Sequence, residues 1–319
     1  MVSGYGGADA LKLTESEPVP KPGTGQVLLK IHAAGVNFVD IYQRRGTYAV
    51  NLPFIPGLEA SGQVEAVGEN VTLVRPGDRA AYTGHLGSYS QYTVIEAEKL
   101  IPIPESMTFE EGAAFPLQGI TAHYLIHEFS KPKPGGTVLV HAAAGGVGLL
   151  LVQWAKHLGA EVIGTVSTEE KAKVAKEAGA DHVVLYSRQA FAGEVKRITN
   201  GRGADLVLDG VGKSTFDADM DAVAVRGHIV IYGAASGPAD KISPNALMPK
   251  SISLSGGSSA NFIATREDLL RRSKDVLDAI RAGWLKLRID RVLPLEEAAQ
   301  AHKVLEGRQS MGKIILKTA

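Results

Sequence analysis

The sequence predicts an α/β protein that combines a doubly wound parallel sheet with a second, mostly antiparallel β domain. Its 319 residues and 33.7 kDa exceed what one ordinary hydrophobic core holds and suit about two domains. Up to about residue 110 the chain consists of short strand-like runs separated by Gly and Pro. From about residue 119 strand-like runs alternate with helix-length amphipathic runs, which is typical of parallel strands covered by helices on both faces.

Turn residues divide the first part of the chain into short strands. Gly and Pro stand together in Lys21-Pro22-Gly23, Ile55-Pro56-Gly57 and Arg75-Pro76-Gly77-Asp78. Around these turns, alternating or apolar runs predict strands at Gln26–His32, Glu59–Val67, Ala80–Tyr82 and Tyr89–Ile95. Asn37–Arg45 has the pattern of a helix. The first part is therefore predicted to be a small β domain.

The second part begins with a predicted strand at Thr137–Ala142 and a predicted helix at Val147–Leu158. After a strand at Glu161–Val166, the run Ser167-Thr168-Glu169-Glu170 has the S-x-x-E form of a capping box. We expect the next helix to begin there and to stop at Gly179. Further strands are predicted at His182–Leu185, Ala204–Asp209 and His228–Gly233, with helical runs between them.

The last quarter of the chain departs from this alternation. Ser251–Ser255 has the pattern of a sixth strand, and Thr265-Arg266-Glu267-Asp268 is a capping signal for a long helix to about Ala282. A final helix at Leu295–Glu306 and a strand at Lys313–Leu316 follow. Because these segments lie beyond the alternating block, we expect them to return to the first domain.

Composition and charge exclude several classes of protein. Lys plus Arg and Asp plus Glu both count 34, and this zero net charge argues against binding to nucleic acid or to an anionic membrane. The chain has no Cys, which excludes disulfides, thiolate zinc sites, iron–sulfur clusters and Cys nucleophiles. No run approaches the roughly 18 apolar residues of a membrane helix, and the first residues lack the pattern of a secretory signal. We expect a cytoplasmic protein.

A glycine-rich turn between a strand and a helix carries the strongest chemical signal. Ala143-Ala144-Gly145-Gly146-Val147-Gly148 is a G-x-G-x-x-G fingerprint in which Ala143 replaces the first Gly. Gly145 would let the backbone approach a diphosphate, and Gly148 would let the helix pack close to the strand. Free N–H groups at the start of the helix would bind the phosphates. The context favours a dinucleotide site over a ligand-free turn, with the binding residues Ala144, Gly145, Gly146, Val147 and Gly148.

The end of the next strand indicates which dinucleotide binds. A site for NAD usually has Asp or Glu there, about 20 residues on, to hold the ribose 2′-hydroxyl. This sequence has Thr165-Val166-Ser167-Thr168 instead, with Lys171 one turn into the helix. Hydroxyls and a cation suit a 2′-phosphate, and no carboxylate repels it. The pattern predicts NADPH as the cofactor.

Two other patterns do not support a function. Gly210-Val211-Gly212-Lys213-Ser214 ends like a phosphate-binding P-loop, but Val207 stands where that motif requires its first Gly. His123 and His127 have metal-ligand spacing on a predicted helix, yet Tyr124 occupies the place of Glu in H-E-x-x-H and no third ligand can be named. We interpret the two His as core or partly buried residues.

Four segments together resemble the zinc-independent quinone oxidoreductases, the zeta-crystallin-like branch of the medium-chain dehydrogenase/reductase superfamily. They are Ala33–Tyr48, Ala113–Tyr124, Ala142–Ala180 and Asp209–Gly237. The resemblance spans nearly the whole chain. It implies a GroES-like domain over residues 1–119 and 258–319, a Rossmann domain over residues 120–257, and a homodimer built through the Rossmann sheet.

The resemblance also implies functional residues, motif by motif. Those that match family positions around the nicotinamide and the substrate are Asn37, Tyr42 and Tyr48. Those that match cofactor contacts are Thr121, the 2′-phosphate group Ser167, Lys171 and Tyr186, the loop residue Gly233, and Arg308, which reaches back to the cofactor in the family.

The residues at the family's metal position agree with zinc independence. In zinc-using relatives a Cys and a G-H-E motif hold the catalytic metal. The matching stretch here is Gly57-Leu58-Glu59, and Asn37 stands near the place of the Cys. Because a Leu side chain has no ligand atom, Leu58 cannot coordinate zinc.

Two departures from the family pattern affect the periphery. The usual L-x-R-P stretch is Leu254-Ser255-Gly256-Gly257 here, which lacks the rigid Pro and the charge. We expect the interdomain or dimer contacts there to differ. The edge strand that precedes the Tyr5–Leu13 region in the family has no counterpart, so we also expect the edge of the first domain to be frayed or paired differently.

Taken together, these features imply hydride transfer from NADPH to a small quinone. The protein would mainly orient the cofactor against the substrate, and solvent can protonate the weakly basic oxyanion of a reduced quinone. Tyr48 and Asn37 would then orient the substrate oxygen by hydrogen bonds. Two alternatives stay open: reduction of the C=C bond of an enone or alkenal with the same cofactor, and a non-catalytic NADPH-binding role.

Overall fold

The structure, a computed structural model, describes residues 1–15 and 17–318. It contains two compact units, which we call the first and the second unit. The first unit comprises Met1–Leu117, Phe262–Lys274 and Ile289–Ala319, and the second comprises Gln118–Asn261 and Asp275–Arg288. After the alternating block the chain returns to the first unit.

A seven-stranded mixed sheet forms the centre of the first unit. Its strands are β1 (Gln26–Val36), β2 (Glu59–Val67), β3 (Arg79–Thr83), β4 (Tyr92–Glu96), β5 (Ile101–Pro102), β12 (Ile289–Pro294) and β13 (Lys313–Lys317). The strand order is β12-β13-β1-β2-β3-β5, and β4 pairs with β1. All pairs are antiparallel except β12 with β13. The predicted strands are present, although the one expected from Tyr89 begins at Tyr92.

Short helices accompany this sheet: α1 (Phe38–Arg44), α2 (Phe109–Gly112) and α10 (Ala298–Glu306). Asn37 is the N-cap of α1, and its backbone N–H donates to the carboxylate of Asp40 in a capping box. The predicted final helix is a 3₁₀ turn at Leu295–Glu297 that continues as α10. At the edge of the unit, Val2 forms isolated bridges with Phe54 and Leu11 in place of a full edge strand.

The core of the first unit follows from the two-residue period of its strands. Val27, Leu29 and Ile31 alternate along β1 and are at most 1% exposed. They belong to one apolar cluster with Leu316 of β13 and Val304 of α10. The strand β1 lies in the middle of the sheet, so its residues fix the position of the segment that leads to Asn37.

The second unit contains a six-stranded sheet in which every pair is parallel. Its strands are β6 (Thr137–Val140), β7 (Glu161–Val166), β8 (His182–Leu185), β9 (Ala204–Asp209), β10 (Val223–Ile231) and β11 (Ser253–Gly256). The order β11-β10-β9-β6-β7-β8 is that of a doubly wound dinucleotide-binding sheet. Because the order reverses between β6 and β9, ligands are expected at the carboxyl ends of these two strands.

Helices also accompany this sheet. They are α3 (Pro116–Tyr124), which begins in the last two residues of the first unit, then α4 (Gly146–His157), α5 (Glu169–Glu177), α6 (Phe191–Ile198), α7 (Phe216–Ala222) and α8 (Ser259–Phe262), whose last residue already belongs to the first unit. The long helix α9 (Arg266–Arg281) belongs to both units. No helix among the described residues combines the length and the apolar character of a membrane span.

The predicted start of α5 is wrong by one residue. The N-cap of α5 is Thr168 and not Ser167, since the Thr168 hydroxyl accepts the backbone N–H of Lys171 at 3.3 Å. The S-x-x-E pattern favours Ser167, but both residues carry a hydroxyl that can cap a helix, and the structure uses Thr168. The shift leaves Ser167 outside the helix, at the end of β7.

The second half of α9 lies in the second unit, whereas the sequence-based boundaries assigned residues 258–319 to the first domain. Contacts with α3 explain this division. The imidazole of His123 lies 2.9 Å from the Asp275 carboxylate. Val276 packs so closely against Gly119 that a side chain at position 119 would not fit. The pattern of α9 shows that its apolar face must be buried but not against which neighbour.

The Gly256-Gly257 departure has a local packing reason. A Cβ atom on Gly257 would lie 2.7 Å from Cε2 of Tyr124 and 3.2 Å from Cε2 of Phe129. Tyr124 is 1% exposed and its hydroxyl bonds the side chain of Thr121. The absence of a side chain at Gly257 therefore leaves room for Tyr124 and Phe129, which follow Thr121 in the chain.

Candidate active site and dinucleotide-binding turn

The glycine-rich turn lies between β6 and α4, at the reversal point of the parallel sheet. Ala142 has a left-handed backbone with φ of +49°, which is rare for a residue with a side chain and often marks a functional turn. The N–H of Gly145 donates to the Ala142 carbonyl at 2.8 Å, and α4 begins at Gly146. The first N–H groups of α4 have no acceptor within their own helix, so this turn can bind an anion.

The glycines of this turn have different structural reasons. A side chain on Gly148 would collide with the Ala142 carbonyl oxygen, so Gly148 permits the close approach of α4 to the turn. A side chain on Gly146 would collide with the amide of Gln118, which lies directly against it. At Gly145 a Cβ atom would approach only the Ala142 oxygen, at 3.1 Å. The turn thus leaves room for a diphosphate beside Gly145, whereas the Gln118 amide fills the space beside Gly146.

The residues predicted for the 2′-phosphate converge at the ends of β7 and β8. The N–H of Tyr186 donates to the Val166 carbonyl at 3.1 Å, and Ser187 Oγ donates to the Ser167 carbonyl at 2.9 Å. Lys171 lies in the first turn of α5 and is half-buried. Tyr186 is 41% exposed. The structure therefore places Ser167, Lys171 and Tyr186 at one end of the sheet, next to the glycine-rich turn.

A nearby ion pair was not predicted from the sequence. Arg188 and Glu169 lie at the same end of the sheet, and their side chains are 2.6 Å apart. Because Arg188 pairs with Glu169, its cation offsets part of the negative charge that this carboxylate places near the proposed phosphate site. The contact joins the first residue of α5 to the segment after β8, 19 residues further along the chain, so no local pattern indicates it.

The loop after β9 has its backbone donors occupied. The Asp209 carboxylate accepts the N–H groups of Val211 at 2.6 Å and Gly212 at 3.1 Å. The N–H of Lys213 donates to the Gly237 carbonyl at 2.9 Å. The N–H groups that a P-loop would offer to a phosphate are therefore already used. Gly233, expected over the cofactor, lies here and its backbone approaches Gly210 too closely for a side chain.

A buried polar group supports the glycine-rich turn from below. The His141 side chain, at the end of β6, lies 2.7 Å from the Asp219 carboxylate and 2.8 Å from the Thr165 hydroxyl. Burial raises the pKa of Asp219 to about 6, although His141 opposes this shift. Burial also acts to lower the pKa of His141, but Asp219 and Asp209 outweigh it and raise that pKa. The contacts tie β6, β7 and α7 together beside Ala142.

In the first unit, Asn37 is held by a buried ionic group. Its side-chain Nδ2 donates to Glu59 Oε2 at 3.0 Å and to the Gly35 carbonyl at 3.2 Å, and its Oδ1 accepts from Lys313 at 2.8 Å. Glu59 and Lys313 form a close ion pair and are at most 1% exposed. Glu59 also accepts the backbone N–H of Leu117 at 2.6 Å.

These contacts change the role expected for Asn37. Both hydrogens of its amide are donated within the protein, so Asn37 has no free N–H group for a substrate oxygen. Asn37 is 5% exposed. Its side chain therefore positions the start of α1, and the sequence could not indicate this because Lys313 lies 276 residues away.

The two predicted tyrosines form an aromatic row with Phe38. Ring centroids are 6.2 Å apart for Phe38 and Tyr42 and 5.2 Å apart for Tyr42 and Tyr48. The N–H of Tyr48 donates to the Tyr42 carbonyl at 3.2 Å. Tyr42 is half-buried, whereas Tyr48 is 52% exposed. Tyr48 is therefore the most exposed of the three residues expected near the substrate.

A second buried network lies beneath α1. Arg44 can only donate, so its contact with His302 Nδ1 at 3.0 Å places the imidazole proton on Nε2. That proton is then donated to the Tyr89 oxygen, and the Tyr89 hydroxyl donates to Asp40 Oδ2, each at 3.0 Å. Burial raises the pKa of Asp40 to about 7, while burial and the charge of Arg44 lower the pKa of His302 to about 3. Sequence reasoning missed this network.

Arg308 lies in the first unit, two residues after the end of α10. Its backbone is left-handed with φ of +54°, and its N–H donates to the Leu305 carbonyl at 3.0 Å. The first unit thus carries the predicted residues Asn37, Tyr42, Tyr48 and Arg308. The second unit carries Thr121, the glycine-rich turn, Ser167, Lys171, Tyr186 and Gly233.

The chemistry of the donor set does not suit zinc. Within residues 1–15 and 17–318, no three His, Asp or Glu side chains are grouped so that they could hold a metal ion. The chain has no Cys, and Leu58 and Asn37 stand at the positions that the resemblance assigns to metal ligands. The position next to Asn37 is instead occupied by the ammonium of Lys313.

The fold and the site define a two-unit, nicotinamide-dependent dehydrogenase or reductase. The family described as "Alcohol dehydrogenase GroES-like domain" matches residues 23–105, and that described as "Zinc-binding dehydrogenase" matches residues 146–275. The chain is 42% identical to a 2-haloacrylate reductase of a Burkholderia species, over 95% of this chain and 93% of that protein. It is 40% identical to a quinone oxidoreductase of Pseudomonas aeruginosa, over 98% of this chain and 97% of that protein.

A solved structure is equally similar. A mycobacterial protein in complex with NADPH superposes with a TM-score of 0.96 and is 43% identical, over 99% of this chain and 98% of that one. The chain belongs to the quinone oxidoreductase family of the medium-chain dehydrogenase/reductase superfamily.

The raised pKa of Asp40 predicts a pH dependence of stability. The unfolded chain releases the Asp40 proton near pH 4, whereas the folded protein holds it up to about pH 7. The free energy of unfolding therefore falls as the pH rises through this window, by an amount on the order of a few kcal/mol, and Asp40→Asn removes this fall. Urea unfolding of both proteins between pH 4.5 and 8 measures it.

The exposed Asp240 provides the matched control, because Asp240→Asn should leave the pH profile of the wild-type protein unchanged. A difference between wild type and Asp40→Asn that stays constant over this pH range would contradict the prediction.

Proposed function

We propose that this protein is an NADPH-dependent enzyme that reduces small quinones without zinc. The observation that carries the proposal is the end of β7, where hydroxyls and the Lys171 cation stand in place of a carboxylate, beside a glycine-rich turn at the reversal point of the sheet. Full-length similarity to a quinone oxidoreductase and to an NADPH-bound structure supports the same cofactor and substrate class.

The residues of the second unit fit the two charged parts of this cofactor. The N–H groups of the first turn of α4 suit the diphosphate. The Lys171 ammonium and the hydroxyls of Ser167 and Tyr186 suit the 2′-phosphate. When bound, NADPH supplies a hydride to the substrate.

The residues of the first unit orient the substrate. Because the amide of Asn37 is fully engaged, the hydroxyl of Tyr48 is the group that hydrogen-bonds the substrate oxygen. The oxyanion of a reduced quinone is a weak base and takes its proton from water. The tyrosine therefore orients the substrate and does not have to transfer a proton in the rate-limiting step.

A homodimer in the cytoplasm is part of the same proposal. The strand β11 is at one edge of the parallel sheet, and its outer backbone groups are available to pair with a second copy. The reaction also needs the NADPH that a cytoplasm supplies. Light scattering coupled to size-exclusion chromatography tests the dimer.

One observation favours a second activity, reduction of an activated C=C bond. The 2-haloacrylate reductase is 42% identical to this chain, and its name describes an alkene substrate. Such a reduction generates an enolate, which is more basic than a reduced quinone and needs more stabilisation.

A substrate panel tests the proposed function. With NADPH we expect turnover of 1,4-benzoquinone and 9,10-phenanthrenequinone at rates well above those for a 2-alkenal or 2-chloroacrylate, and weaker activity with NADH. Faster turnover of the alkenes would assign the second activity. NADPH binding with no turnover of any compound would point to a non-catalytic role.

Lys171→Glu should weaken NADPH binding on the order of a hundredfold and NADH binding by much less, because it replaces attraction by repulsion at the 2′-phosphate alone. The quenching of protein fluorescence by each cofactor gives the two dissociation constants. Lys173→Glu, on the exposed face of α5, is the matched control and should leave both unchanged. Equal losses for the two cofactors would contradict the assignment.

Tyr48→Phe should retain kcat within about tenfold of wild type and raise the KM for the quinone, since the hydroxyl orients the substrate and solvent supplies the proton. Steady-state kinetics with 1,4-benzoquinone at saturating NADPH measures both constants. Loss of activity by a factor of about a thousand, with NADPH binding intact, would instead make Tyr48 an essential acid.

A further inference from the structure

Gln118 has a position that the sequence analysis did not assign to any function. It lies in the first turn of α3 and is the first residue of that helix in the second unit. Its side-chain amide lies directly against Gly146. Gly146 is the first residue of α4 and the centre of the glycine-rich turn. No larger residue fits at Gly146 while Gln118 keeps this position. The amide is thus held at the start of α4.

The chemistry of this amide suits an anionic ligand. A Gln side chain carries two N–H donors, and within the described part of the chain the Gln118 amide forms no hydrogen bond. The side chain is half-buried, so its donors are only partly hydrated. The adjacent N-terminal turn of α4 carries a partial positive charge. An anion at this turn would therefore find a side-chain donor in addition to the backbone N–H groups.

The helix geometry relates Gln118 to a residue that the sequence did indicate. Thr121 follows three residues later on α3, so the two side chains lie on the same face of the helix. Thr121 is 6% exposed and its side chain bonds the Tyr124 hydroxyl, so it is engaged within the core. Gln118, one turn earlier, is the more accessible polar group of this face.

We propose that Gln118 is a cofactor-binding residue whose side-chain amide donates a hydrogen bond to the diphosphate of the bound dinucleotide. This rests on the proposed function, because it needs a dinucleotide at the glycine-rich turn. The group around the 2′-phosphate stands at the ends of β7 and β8, whereas Gln118 stands at the turn after β6. Gln118 therefore binds NADPH and NADH alike, and Lys171 distinguishes them.

The test compares Gln118→Leu and Gln118→Glu over four ligands: NADPH, NADH, 2′-phospho-ADP-ribose and adenosine 2′-monophosphate. The first three contain the diphosphate and the last does not. We expect Gln118→Leu to weaken the binding of the three diphosphate ligands about tenfold. Gln118→Glu should weaken their binding on the order of a hundredfold, because the carboxylate repels the phosphates. Adenosine 2′-monophosphate should bind both variants as it binds the wild-type protein. Calorimetry and ligand-observed NMR give these constants.

Control variants separate this role from a structural one. Gln300→Glu changes an exposed glutamine on α10 and should leave every ligand unaffected. Lys171→Glu should give a different pattern. It should weaken the binding of NADPH, 2′-phospho-ADP-ribose and adenosine 2′-monophosphate, which carry the 2′-phosphate, and affect NADH much less.

Three results would overturn the proposal. If the diphosphate ligands bind Gln118→Glu as tightly as they bind the wild-type protein, Gln118 does not contact the diphosphate. Equal weakening of adenosine 2′-monophosphate would show a general structural effect, and an effect on NADPH without one on 2′-phospho-ADP-ribose would place the contact on the nicotinamide half. Wild-type protein that binds no dinucleotide would instead refute the proposed function itself.

Discussion

The buried carboxylate of Glu59 is the constraint on which the first unit depends. A carboxylate with no exposure is stable only when it is paired and hydrogen-bonded, and removal of one partner costs about 3–5 kcal/mol. Lys313, Asn37 and the N–H of Leu117 satisfy it, and they come from β13, the start of α1 and the first turn of α3. One desolvated charge thereby joins three distant segments. The same contacts orient α1 and its tyrosines and determine where α3 begins.

In the second unit the corresponding constraint is steric. The close approach of α4 to the turn after β6 depends on the absence of a side chain at Gly148. The buried contact of His141 with Asp219 and Thr165 supports the same turn from below. The turn can then present its N–H groups at the reversal point of the sheet, while the residues after β7 and β8 determine which dinucleotide is preferred. Diphosphate binding and the choice between NADPH and NADH thus depend on different strands at the carboxyl end of the same sheet.

The two units also divide the chemistry. Charged and hydroxyl groups of the second unit suit the phosphates of a cofactor, whereas the exposed hydroxyl in the first unit belongs to a tyrosine of an aromatic row. At the place where zinc-using relatives hold a metal, an internal ammonium is already paired with Glu59. Hydride transfer to an electron-poor acceptor needs orientation more than acid catalysis, and this arrangement of residues is suited to orientation.

Local periodicity and turn residues were enough to predict both sheets, most strand and helix positions, the dinucleotide turn and the preference for a 2′-phosphate, because each depends on residues within one or two turns of the chain. The sequence by itself therefore determined the fold class and the cofactor. Tertiary structure alone decided that Asn37 is engaged by Lys313, that Arg188 pairs with Glu169, that half of α9 packs on α3, and that Gln118 lies on Gly146. These contacts join residues that are tens to hundreds of positions apart, and a single sequence shows which side chains exist but not which distant backbone brings them together.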